Sequence, residues 1–120
     1  MPGGRMRRVD EAVREVLSDA ISTDLKDPRV GFVTVTAVKT SRDLRHARVY
    51  VSVLGDEETR NESLAGLRSA HGFLQAAISR QLHLKHTPTL TFEYDETVAR
   101  AARLTELLDQ GPDAEDGSDA

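Results

Sequence analysis

Apolar residues fall into register first at Val9, Ala12, Val13, Val16, Leu17, Ala20, Ile21 and Leu25. That i, i+3, i+4, i+7 spacing lines one face of an amphipathic helix and predicts a helix over residues 9–25. Arg14, Glu15, Asp19 and Asp24 take the other side, and Asp27-Pro28 ends the element, because the residue before proline is pushed out of the α region. The period then changes. Phe32 to Val38 is β-rich, and from Ala47 to Val53 the odd positions are apolar while the even ones are Arg48, Tyr50 and Ser52. This alternation predicts a strand with one buried face. The short, turn-forming link Thr40–Arg45 predicts that the two strands pair as an antiparallel hairpin.

Beyond Gly55, the acids Asp56, Glu57 and Glu58 stand where a helix N-terminus favours them. Leu64 and Leu67, then Leu74, Ile78 and Leu82, carry helical spacing on both sides of Ser69-Ala70-His71-Gly72. Two helices over roughly residues 58–70 and 72–84, meeting at Gly72, fit this pattern because glycine inside a helix costs ~1 kcal/mol relative to alanine. Thr87-Pro88 should close the second. Thr89–Tyr94 alternates as a third strand, with Phe32, Phe92 and Tyr94 expected in the core. Asp95 can cap a last helix carrying Val98, Ala101, Leu104 and Leu108. The order predicts an α+β layer: a three-stranded sheet covered on one face by helices.

Composition narrows the function. The chain has 120 residues and no cysteine, which suits one domain and excludes disulfides, thiol nucleophiles and thiolate metal sites. No apolar run approaches the ~20 residues of a membrane helix, and the charged stretch Met1–Val9 does not look like a signal peptide. A soluble cytoplasmic domain is expected.

The net charge of −4 is unevenly spread. Asp113, Glu115, Asp116 and Asp119 stand in an acidic tail over residues 110–120 that should be disordered, and without them Met1–Pro112 has 16 acids and 16 bases. Arg5, Arg7 and Arg8 make residues 1–8 a basic arm ahead of a domain over residues 9–109. From Ser63 to Phe92 there is no acid, but there are Arg68, Arg80, Lys85, His71, His83 and His86. A helix N-terminus flanked by such bases binds phosphate through backbone N–H groups and screened attraction. Bland readings stand beside this one: a solvated basic face, and helix–helix packing as the reason for Gly72. His83-x-x-His86 has no third ligand nearby, and no Gly-x-Ser-x-Gly, phosphate-cradling loop or His-Glu-x-x-His is present. Catalysis and metal binding are not expected.

Ser41-Arg42-Asp43-Leu44, followed by Ala47-Arg48-Val49-Tyr50-Val51, resembles the hairpin signature of the bacterial ribosome-binding factor A family. Asp27-Pro28-Arg29-Val30-Gly31, Gly72-Phe73 and Pro88–Asp95 resemble its other marks, in the same order, so that the likeness covers roughly Arg5 to Leu108. Thr89 stands where the family commonly has an acid. The resemblance implies a type II KH-like fold whose usual Gly-x-x-Gly loop is replaced by an Ala-x-Gly kink, here Ala70-His71-Gly72. It also implies a non-catalytic, cofactor-free factor that binds the 30S subunit and its 16S rRNA during late maturation, and a monomer is expected. Such a factor assists 16S rRNA 5′-end processing and cold adaptation, and acts alongside assembly GTPases.

The expected RNA surface is therefore Arg68, Ala70, His71, Gly72, Arg80, His83, Lys85 and His86, with Arg5, Arg7 and Arg8 as an arm. Arg42, Arg45 and Arg48 are further contacts on the hairpin, Arg48 being equally well a solvent-facing residue without a partner. A protein-interaction module without direct RNA contact is the alternative, and a small hydrolase would need converging His and acidic side chains.

Overall fold

A computed structural model describes residues 2–97 and residue 104. Most of the expected last helix and all of the acidic tail lie outside the described residues. What is described of that helix begins as expected: Asp95 Oδ1 accepts the Thr97 N–H at 2.9 Å.

Helix α1 runs from Pro2 to Asp19 and passes into a wider π turn over Ala20–Asp24. The basic run Arg5, Arg7 and Arg8 thus lies within the first turns of this helix. The apolar stripe reaches further back than Val9, to Met6, three and seven residues before Val9 and Val13, and that continuity supports the extra turns. The π turn closes with Leu25 N–H on the Ala20 carbonyl at 2.9 Å, an i→i−5 bond, while the Ser22 and Thr23 hydroxyls bond back to carbonyls four residues earlier.

Strands β1 (Val33–Thr40) and β2 (His46–Val53) form the expected antiparallel hairpin, and β3 (Thr89–Tyr94) lies parallel to β2, giving the order β1-β2-β3. A parallel neighbour needs a crossover, which helices α2 (Glu57–Ser69) and α3 (His71–Gln81) supply. Gly55, at φ +132°, turns the chain from β2 into α2, where Asp56 caps the helix through Thr59 N–H.

Ala47, Val49, Val51 and Val53 are all buried, as their alternation predicts. They meet Val13, Leu17, Leu67, Leu74 and Ile78 from the helices, with Leu90 and Phe92 from β3, in one core beneath one sheet face. In β1 the alternation slips. Val35 pairs with Val51 but Ala37 with Tyr50, so Thr36 is a bulge that lets both Val35 and Val38 point inward. Its hydroxyl bonds to the Asp95 carboxylate. Phe32, expected in the core, precedes the strand and is 79% exposed beside exposed Leu54, whose N–H bonds to the Phe32 carbonyl. Phe92 is buried and Tyr94 packs partly against the core.

The motif at Asp27–Gly31 is a fold element. Asp27 accepts from Arg29 N–H at 2.9 Å and pairs with its guanidinium at 2.7 Å, while the fully buried Ser63 hydroxyl accepts Gly31 N–H and donates to the Arg29 carbonyl. Gly66 lets this loop lie against α2: a Cβ there would stand 2.6 Å from Val30 Cγ2.

Candidate nucleic-acid interface

The break between α2 and α3 falls at Ala70 (φ −91°, ψ 10°), the first residue of the expected Ala70-His71-Gly72 kink and two residues before the glycine where the helices were expected to meet. Leu64 and Leu67 before it and Leu74 and Ile78 after it would share one face of an uninterrupted helix, so the apolar pattern does not require a break. Ala70 N–H bonds to the Gly66 and Leu67 carbonyls, and α3 restarts with no side-chain cap. Gly72 sits one residue inside α3, without a positive φ, and a Cβ there would meet nothing within 4 Å. Helix packing is therefore not what places a glycine at this position.

Around the break, Arg68 donates to the Phe92 carbonyl at 3.0 Å and the His71 ring contacts the Arg68 carbonyl through Nδ1 at 2.9 Å. Both side chains border a hollow against Thr89, Leu90 and Thr91 of β3. Phe73, which was not among the expected site residues, is 42% exposed in the first turn of α3. Its place off the Leu74–Ile78 stripe was visible in the sequence. Arg80 is exposed in the last turn of α3.

Helix α3 ends at Gln81, earlier than residue 84, so His83, Lys85 and His86 lie on the segment leading to β3. Thr89 N–H bonds to the Arg45 carbonyl at 2.8 Å, which places that segment beside the hairpin turn. A cleft of about 610 Å³ opens there, bordered by Arg5, Arg42, Asp43, Arg45, Lys85 and His86 over Met6, Val9 and Leu44. It gathers residues from three separate stretches of sequence. Arg7 is separated from them and borders a groove with Asp10, Glu11 and Arg14, and Arg8 is exposed. Arg48 has a partner after all: its Nε stands 2.9 Å from Glu93 on the neighbouring strand, on the open sheet face.

The perturbed carboxylates serve the fold. The Arg29 guanidinium holds Asp27 below the usual range, the Ser41 hydroxyl does so for Asp43, and the Thr59 N–H for Asp56. Among the described residues, no three His, Asp or Glu side chains converge on a possible metal site, and no helix is long and apolar enough to cross a membrane.

The family model for ribosome-binding factor A matches residues 5–108. Ribosome-binding factor A of Natranaerobius thermophilus is 41% identical over 110 residues, covering 92% of this chain and 84% of the relative. The crystal structure of ribosome-binding factor A from Thermus thermophilus superposes with a TM-score of 0.67 at 29% identity, over 74% of this chain and 93% of that one. A Thermus thermophilus homology model, fitted into a cryo-EM map of a 30S–RbfA complex, superposes with a TM-score of 0.58 at 32% identity, over 70% and 88% of the two chains. The α+β sheet with its broken helix pair is the KH-like fold of these neighbours.

Proposed function

The chain belongs to the ribosome-binding factor A family, and from that premise we propose that it binds the 30S subunit through 16S rRNA during late maturation. The Thermus protein's fitting into a 30S complex supports this reading. The factor acts in the cytoplasm as a monomer, assists 16S rRNA 5′-end processing and growth in the cold, and works alongside assembly GTPases. It performs no bond chemistry. It holds one rRNA conformer while the subunit matures, then leaves.

One observation carries the surface assignment: Gly72 stands at an uncapped helix start, in open space, where the fold itself would accept a side chain. A Cβ there would obstruct only something arriving from outside, and an RNA backbone approaching the N–H groups of α3 is such a visitor. Exposed Phe73 offers a ring on which a base can stack, and Arg68 supplies positive charge beside it.

Ultraviolet crosslinking in growing cells tests the reading. Crosslinks from the first turn of α3 to 16S rRNA are expected. Crosslinks to proteins alone, through Phe32 and Leu54, would favour the protein-interaction module instead.

A further inference from the structure

We infer that the cleft between the start of α1, the hairpin turn and the segment entering β3 is a second phosphate-binding site. It takes backbone phosphates of the same RNA that the α2–α3 break engages, and so rests on the rRNA-binding reading.

Charge is the first ground. Arg5, Arg42, Arg45 and Lys85 border one cleft in which Asp43 is the only carboxylate among the described residues. That carboxylate is already engaged, because its Oδ1 accepts from the Ser41 hydroxyl at 2.6 Å and from Arg45 N–H at 3.1 Å. Its Oδ2 stands 3.9 Å from Arg45 Nε, a loose pair. No described carboxylate pairs with Arg5, Arg42 or Lys85. Gathering these cations raises their mutual repulsion, which a polyanion from outside would relieve.

The second ground is that the turn is built. Leu44 holds φ +63°, a left-handed conformation that costs a side-chain-bearing residue ~1–2 kcal/mol. Leu44 N–H bonds to the Ser41 carbonyl, Ser41 N–H to the His46 carbonyl, and Thr89 N–H to the Arg45 carbonyl. Asp10 Oδ1 accepts Thr40 N–H at 2.9 Å, fixing the start of α1 against the end of the hairpin. Arg42 and Arg45 are therefore carried on a fixed turn facing Arg5 and Lys85.

Continuity is the third. Arg45 and His86 also border an adjoining depression with His46, Thr87 and Thr89. Thr89 in turn borders the hollow under Arg68 and His71. Among the described residues, no carboxylate lines either depression. The hollow and the cleft are thus joined along β3, whose residues from Thr89 to Phe92 span roughly 10 Å.

The test is the affinity of the full chain for purified 16S rRNA, measured from about 50 to 200 mM salt. Arg42→Gln with Lys85→Gln changes two exposed side chains, and the slope of log affinity against log salt should flatten by about 1.4–1.8. Arg42→Lys with the native Lys85 should keep the native slope. So should Lys26→Gln, an exposed position beyond the far end of α1. A double-Gln protein that binds with the native slope, while Gly72→Ala weakens binding, overturns the cleft and leaves the rRNA reading standing. Affinity lost with no change in slope also overturns it. A native chain that does not bind the rRNA at any salt removes both.

Discussion

Arg68 Nη2 donates to the main-chain carbonyl of Phe92 at 3.0 Å, so the last turn of α2 is tied to the outer edge of β3. An edge strand otherwise presents unpaired carbonyls to any passing chain. Replacing Arg68 with alanine should cost about 0.5–1.5 kcal/mol, read as a lower urea midpoint at unchanged slope. It should also loosen the hollow below the break, where Arg68 and His71 meet β3. An unchanged midpoint would mean that the bond contributes nothing in solution.

Gly72→Ala separates stability from binding. With ordinary helical φ and open space around it, alanine should raise stability by about 0.4–1 kcal/mol. Affinity for 16S rRNA should fall because the added methyl group stands where the backbone approaches. A variant that is more stable and binds as well as the native chain would remove the close approach.

Gly66→Ala should do the opposite. The methyl would enter the space of Val30 Cγ2, a stiff β-branched side chain. A loss of about 1–3 kcal/mol is expected, measured by denaturant, with little change in rRNA affinity per folded molecule. Ser63→Ala should resemble it, since two main-chain groups of the same loop lose their hydroxyl partner.

Acid should weaken the fold through carboxylates that hold structure. Asp27, Asp43 and Asp56 all titrate below their ordinary value in the folded chain. Their contribution is complete above the unfolded value of about 3.9 and is lost as pH falls through the depressed folded values. The Tm should therefore drop below about pH 4. Asp56→Asn keeps an acceptor for Thr59 N–H but removes the titration, so its Tm should fall less steeply there. Parallel curves would contradict the assignment.

Asp10 offers a test of how the cleft is assembled. Asp10→Ala removes the acceptor for Thr40 N–H and should free the start of α1, which carries Arg5, from the hairpin end. Amide exchange at Thr40 and over residues 5–9 should speed up, while Asp10→Asn should retain most of the protection. Equal exchange in all three proteins would show that packing alone fixes α1.

Much of the fold was legible because its periods are simple. The odd positions of β2 and the Val13–Leu17 stripe of α1 point inward as their spacing says. The bulge at Thr36 was not legible, since the partners of its hydroxyl, the Tyr50 carbonyl and the Asp95 carboxylate 59 residues away, come together only in the folded chain. The break stands at Ala70, the first residue of the expected Ala70-His71-Gly72 kink, and not at Gly72 itself, because glycine's cost in a helix does not mark where a helix stops. Phe32 misled because a β-rich composition does not fix where pairing begins. The basic residues were visible singly, but their grouping was not. Only the parallel placement of β3 beside β2 brings Lys85 and His86 to Arg45, while the turn of about 200° between residues two apart on a helix separates Arg5 from Arg7 on α1.

A chain that grips the small subunit through screened charge should be followed first by sedimentation of cell lysate through sucrose gradients at low and high salt. The protein should travel with free 30S subunits at low salt and move to the top of the gradient at high salt. Its presence at the top under both conditions would rule out the rRNA-binding reading, and a 30S-sized complex that survives high salt would rule out screened charge as the grip.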